Sequence, residues 1–435
     1  MSFKRLKLSL ESLDESQQEE VMPATAVVET EEESSQTTAV IDASFVEVGS
    51  AMESIDEAFA DSQKLDVVAD TMQNMEQAGG MDANSAVLAD MALEHLYAKL
   101  GVKKSPLLAM ETYSSEKTRK GATALALESI QETAKKVWEA IKVMLKKAVE
   151  FVKNFFAAVF DKNTKVANKA KAMLEELKKF KEDNKVDDSI LDKKIENQSV
   201  AAALNIDGKV NFSCIEDGFA SIEVFLKAAK ETTESLKGHL GLVHGFLSKI
   251  TEKDLDDNFA MPGLDKLGWK EYDKGLHSFG GVKTIGFNNS SLYIHGYDTE
   301  KKDAVNYDVE ILSGDTSDVS KELDTLSLDE IEKALGLVIQ QSAEIEKSKS
   351  VVSELEDIQK SLEKESDDIS AVLSDIKEKA NIQVAKKAIT VISKLSISIN
   401  TIVSKYAISS SQYVLQYIDL CMKEHGIAIK APVSA

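Results

Sequence analysis

Only four prolines occur in 435 residues, at 23, 106, 262 and 432, so stretches 107–261 and 263–431 contain no obligatory helix breaker. Within them apolar residues recur at three- and four-residue steps, the period of one helix face. From about 115 to 160 the stripe runs Val137, Ile141, Met144/Leu145, Ala148, Val152, Phe155/Phe156 and Val159, with Lys135, Lys142, Lys146 and Lys153 off it. A Lys/Glu-rich helix follows over about 162–183, and another over Phe219 to Ile250. Ile331, Leu335, Val338, Ile345, Val352 and Leu355 continue through Leu362, Ile369, Leu373 and Ile376, interrupted by Ser342, Lys349 and Ser366. That seam predicts a long, imperfect helical hairpin or coiled coil. A last helix over about 380–424 carries Ala388, Ile392, Leu395, Ile399, Ile402 and Tyr406.

Residues 263–314 break the pattern. They hold 8 of the 20 Gly and 7 of the 26 aromatics, with alternating runs at Val282 to Ile285, Leu292 to Ile294 and Val305 to Val309. Asn288-Asn289-Ser290-Ser291 between two of them is hairpin-turn chemistry. The expected fold is mainly α: a long helical bundle or coiled-coil hairpin with a small inserted antiparallel sheet and a disordered acidic N-terminal leader. The expected divisions are 1–111 (leader with short helices, including a loose one over 45–78), 112–261 (helical, Lys-rich), 262–316 (sheet) and 317–435 (hairpin).

Charge divides the chain unevenly. The net −22 falls as 7 basic against 22 acidic side chains in 1–111, and 45 against 52 in the rest, so the first quarter carries −15. Glu11 to Glu33 is rich in Glu, Ser, Gln and Thr with few apolar anchors, a composition too polar to offset its ordering entropy. Residues 129–181 are the reverse, with 13 Lys against 6 acids. An acidic total argues against a general nucleic-acid binder, since phosphates would be repelled. The plain reading of the split is a solvated tail beside a Lys-faced helix; the functional one is a removable leader that masks or balances the basic segment. Lys103-Lys104-Ser105-Pro106 reads as a linker between them.

Catalytic motifs do not emerge. The histidines at 95, 239, 244, 277, 295 and 425 form no i,i+4 metal pair, and His239 and His244 fall on different helix faces. Asp256-Asp257 and Asp367-Asp368 read as solvated faces. No Gly-rich phosphate loop, nucleophile elbow or paired-cysteine site is present. Cys214 and Cys421 cannot build a disulfide scaffold and suit a reduced chain. The expectation is a non-enzymatic protein without cofactor or metal. No signal peptide or 18-residue apolar window occurs, so no stable membrane association is expected.

The sharpest signal is a tripeptide, Ala/Ser then Leu/Met then Glu, ending at Glu11, Glu53, Glu94, Glu111, Glu128 and Glu363. Ala, Leu, Met and Glu are strong helix formers, and that vocabulary accounts for Glu53, Glu94 and Glu363. Glu11 lies in the polar start and Glu111 follows the linker, where a protease would find extended chain. Glu128 falls inside an expected helix and is the weaker site.

The acidic leader with its small-x-Glu sites, then Ala122-Thr123-Ala124-Leu125-Ala126-Leu127-Glu128-Ser129-Ile130, Val137-Trp138-Glu139-Ala140-Ile141 and Phe151-Val152-Lys153-Asn154-Phe155-Phe156, resemble the internal head proteins of giant tailed bacteriophages. The likeness covers residues 105–160 in sequence and the remainder in architecture. The tripeptide departs from the T-even phage pattern, which favours Leu or Ile where this chain has Ser or Ala. The resemblance implies a precursor packed into the growing head and cut by a prohead protease after Glu. The scissile bonds would be Glu11–Ser12, Glu111–Thr112 and Glu128–Ser129, and Lys4-Arg5-Leu6-Lys7 looks like a head-targeting peptide. It also implies residence inside the phage head, with the host cytoplasm during assembly. The implied partners are the prohead protease, capsid or other internal head proteins and, after processing, packaged DNA.

Two other readings are carried beside it. Trp138, Phe151, Phe155, Phe156 and Phe160 with nearby Lys form an amphipathic stretch that suits a membrane-active or ejected helical protein. A cytoplasmic coiled-coil adaptor built on 328–425 would need no processing.

Overall fold

The structure is a computed structural model describing residues 31–100, 111–183, 188–247, 264–273, 276–298, 303–314, 322–358, 360 and 379–427. It is mainly α, a long bundle with a small antiparallel sheet inserted, as the periodicity predicts. Helix α1 spans Glu31–Gln77, α2 Ala83–Leu100, α3 Glu111–Ser114 and α4 Glu116–Asp183. After them come α5 (Gln198–Leu204), α6 (Phe212–Leu247), α7 (Leu328–Lys347) and α8 (Lys379–Glu424). Helix α4 runs through Lys162 and Asn163, where the sequence suggests two helices. Both side chains are buried rather than at a break, and the Asn163 amide donates to the Ser342 carbonyl of α7 at 2.8 Å.

Helix α1 extends the helix expected over 45–78 back to Glu31, and it is part of the core. It lies antiparallel along α4 and ends at the turn into α2, where Gly79 and Gly80 have φ values of 108° and 98° that favour glycine. A Cβ on Gly80 would stand 2.5 Å from the Lys120 nitrogen, so this turn sets how closely the two helices approach. Arg119 Nε donates to the Gly79 carbonyl at 3.1 Å and the Met81 N–H donates to Thr123 Oγ1 at 2.9 Å. Ile41, Val48, Met52, Ile55, Leu65 and Met72 of α1 are buried. Each such burial is worth about 1.5–3 kcal/mol.

The other wall of the bundle is α8. Lys394 pairs with Asp56 at 2.5 Å and Asp308 at 3.3 Å, and Lys405 pairs with Asp42 at 2.9 Å. Helix α8 therefore ties down both α1 and the sheet. Its buried face is rich in hydroxyls, several of which satisfy themselves on the preceding turn: Thr401 donates to the Ile397 carbonyl at 2.9 Å and Ser411 to that of Ala407 at 3.0 Å. Helix α7 opens with a capping box, Ser327 and Glu330 exchanging bonds. The chain turns at Ser348 and is helical again over 349–358. Leu362, Ile369, Leu373 and Ile376 of the expected seam lie outside the described residues.

The inserted sheet has order β2-β3-β4-β5: Trp269–Asp273, Leu276–Phe279, Ser291–Asp298 and Asp303–Leu312, all antiparallel. Its second strand is Leu276–Phe279 and not the alternating run Val282 to Ile285, which crosses the surface as irregular chain. The Asn288-Asn289 signal is a 3-10 turn, Phe287–Asn289, with both Asn left-handed at φ 56° and 49°. It drives Phe287 against Phe219 and onto Gly218, where a Cβ would lie 2.3 Å from the ring. Trp269 Nε1 donates to Thr232 Oγ1 of α6 at 2.9 Å, anchoring the first strand. A second small sheet pairs β1 (Lys194–Glu196) with β6 (Glu322–Asp324), joining chain on either side of the insert.

Candidate processing sites

The three candidate bonds fall in three surroundings. Glu11 and Ser12 lie outside the described residues, as does the acidic leader before Glu31. Glu111 is the first residue of α3, a single turn that enters α4 after Ser115. Thr112 is half-buried, and its carbonyl accepts from Thr118 Oγ1 at 2.7 Å. Tyr113 is buried, and burial, reinforced by the Asp90 carboxylate, raises the pKa of its phenol. The chain after the bond is thus fixed, while the Lys103 to Pro106 linker before it lies outside the described residues.

Glu128 and Ser129 sit inside α4. Glu128 is exposed and Ser129 half-buried, but the two residues before the bond, Ala126 and Leu127, are buried in the core. The Ser129 carbonyl accepts from Thr133 Oγ1 at 2.9 Å. A protease that reads an extended strand would have to unwind this helix and pull Leu127 from the core. Glu53 and Glu94, read as helix vocabulary, are exposed positions within α1 and α2, while Glu363 lies outside the described residues.

Charge around the sites departs from simple masking. Lys136, Lys146, Lys153, Lys171, Lys178 and Lys179 are exposed with α1 in place. At one end of the Lys-rich face Lys162, Lys165 and Lys169 line a cleft of about 920 Å³ with Thr38, Ala39 and Asp42 of α1, and near the other end of α4 Lys120 pairs with Glu76 of α1 at 4.0 Å. Between them α1 also covers apolar side chains of α4, as where Phe45 meets Phe155 at 6.1 Å between ring centres. Burial works against the Lys394 ammonium, yet the Asp56 and Asp308 carboxylates outweigh it and hold its pKa above the usual lysine value. At the start of α2, the Ser85 N–H donates to Asp82 at 2.7 Å and lowers its pKa.

The aromatic stretch that suggested a membrane is inside the bundle: Trp138, Phe155 and Phe156 are buried, and Phe151 and Phe160 pack against the core. Among the described residues no helix is long and apolar enough to cross a membrane. Nor does any group of three His, Cys, Asp or Glu among them fit a metal ion. His239 is half-buried, and burial with the nearby Lys266 lowers its pKa, while the side chain of His244 and both Asp-Asp pairs lie outside the described residues. Cys214 and Cys421 are free and buried, and burial pushes the Cys421 thiol up to about 12.

Sequence reasoning missed the Lys394–Asp56 tie and the buried Lys162, since neither carries a local pattern.

Neither a curated protein nor a solved structure matches this chain. Residues 29–420, which take in every helix from the body of α1 to most of α8, match the family of phiKZ-like phage internal head proteins, and the chain belongs to that family.

Proposed function

We propose that this internal head protein is non-enzymatic, enters the prohead as a precursor, and is trimmed by the prohead protease after Glu111, with Glu11 as an earlier cut. The carrying observation is that Glu111 is the first residue of a one-turn helix, while Glu128 lies inside the long α4. Departure of 1–111 takes away 22 acidic and 7 basic side chains, leaving −7 on the remaining chain. That lowers repulsion toward packaged DNA. It also uncovers the apolar face of α4 that α1 covers, so a capsid or other internal head protein has to replace α1 there. Removal of a segment with this many buried side chains makes trimming a change of partner and not only of charge.

The test is mass spectrometry of terminal peptides from mature particles. The expected N-terminus is Thr112. An intact Met1 terminus on the particle-borne protein would overturn the precursor reading. Trp138, Phe155 and Phe156 are buried in the full chain, which leaves the membrane-active alternative without a surface there.

A further inference from the structure

The second residue after the Glu111–Thr112 bond is enclosed by the segment before it. Tyr113 is 1% exposed, although Ser115, Glu116, Lys117 and Thr118 just beyond it are open to solvent. Its hydroxyl donates to the Ala122 carbonyl of α4 at 3.4 Å, and the Asp90 carboxylate of α2 lies near enough to act on the phenol. The ring belongs to the same apolar core as Ala86, Leu93 and Leu96 of α2 and Ala122 and Ala126 of α4. Helix α2 precedes the bond in sequence and α4 follows it, so the ring bridges the leader and the body.

Helix α2 is held over Tyr113 from both of its ends. At its start the Met81 N–H donates to Thr123 Oγ1 at 2.9 Å, and the Gly79 carbonyl accepts from Arg119 Nε at 3.1 Å. Toward its far end a side-chain hydrogen bond links Tyr97 to Thr133 of α4. The backbone beside the bond is fastened as well, since Thr118 Oγ1 donates to the Thr112 carbonyl at 2.7 Å. Proteases favour exposed, extended chain, and reaching this bond means drawing Thr112 and Tyr113 out of their places. The rate of cutting then follows the small population in which α2 has let the ring go.

We propose that α2 is an autoinhibitory latch: by enclosing Tyr113 it withholds the chain after Glu111 from the protease, so the leader restrains its own removal. The inference rests on the reading that Glu111–Thr112 is the processed bond. Cutting there waits on displacement of α2, and the full chain with α2 in place is a slow substrate. Freeing the bond after Glu128 asks for more, because turns of α4 have to unwind around the buried Leu127, so the order of the two cuts is unchanged.

The full-length protein is digested briefly with a glutamyl endopeptidase, which cuts after glutamate whatever precedes it. Mass spectrometry then follows the cut after Glu111, with the cut after Glu128 as the reference for general unfolding. Tyr113→Ala is expected to speed the first cut by about tenfold or more relative to the reference. Leu93→Ala, which loosens the buried face of α2 and leaves every residue after the bond as it is, should speed it by about fivefold or more. Tyr113→Phe keeps the ring in place and loses one long hydrogen bond, so it should change the rate by no more than about threefold. An unaltered chain cut after Glu111 as fast as both alanine variants would overturn the latch, and so would a gain shared equally by the Glu128 reference. A gain in Tyr113→Ala without one in Leu93→Ala would also overturn it, because that pattern marks the enzyme's preference at this position and not release of α2. Failure of the latch leaves a Thr112 terminus in particles possible, and an intact Met1 there leaves these rates standing, so the two readings fail separately.

Discussion

The bonds after Glu111 and Glu128 carry the same small residue, the same kind of apolar residue and the same glutamate, and each is followed by a hydroxyl residue. Their surroundings are opposite. One follows the first residue of a single turn of helix, and the other lies within the 68-residue α4 with Leu127 in the core. A motif states what a protease can read, and the helix around it states what the protease can reach. The whole segment before Glu111 adds a second lesson, because charge marks it as one leader while packing divides it. Between Ile41 and Tyr97 it supplies many buried side chains to the core, while the polar stretch before Glu31 carries few apolar residues.

Weakening the core around α4 should erase the contrast most strongly. Trp138→Ala empties a fully buried site and is expected to destabilise the fold by about 3–5 kcal/mol. Thermal melting gives the loss, and digestion should then show cutting after Glu128 that the unaltered chain resists. Next in size, Gly80→Ala places a Cβ against the Lys120 backbone at a left-handed φ, at a cost of about 2 kcal/mol. Denaturant unfolding measures it, and the α1–α2 turn against Arg119 and Lys120 should open first in hydrogen exchange.

Lys394→Met tests the tie between α1, α8 and the sheet, with an expected loss of about 1–2 kcal/mol near neutral pH. The folded pKa of Lys394 is raised, so its contribution is fully present below the usual lysine value of 10.5 and is lost as pH climbs past the folded value. The gap between the two proteins should close in alkaline melts. The smallest effect has the opposite sign. Burial, with Glu234 nearby, raises the pKa of Glu354, so its ionised form costs stability at neutral pH. Glu354→Gln should stabilise by about 0.5 kcal/mol at pH 7, discounted for partial exposure, and the difference should vanish below about pH 4.

Much of this was legible because helix periodicity survives over long, proline-free stretches: the stripe of Val137, Ile141, Val152 and Val159 is buried as spaced. Helix α8 was legible as a helix but not as core on its polar side, since Thr401 and Ser411 are buried hydroxyls that bond within their own helix. The β1–β6 pair was missed because three-residue strands leave no alternation to read. It is held instead by distant groups, such as the Tyr417 hydroxyl donating to the Asp324 carbonyl at 2.5 Å. At the candidate sites the glutamates were visible in sequence. That Leu127 is core and that α1 lies along α4 depend on chain far away, which no local pattern records.

The central claim is that context, not motif, selects Glu111 over Glu128. It is tested most directly by timed digestion of the full-length protein with the prohead protease, followed by intact-mass measurement. The account predicts a product beginning at Thr112 at least tenfold ahead of one beginning at Ser129, and loss of the first product in Glu111→Gln. A product beginning at Ser129 that appears first, or at the same rate, would contradict it.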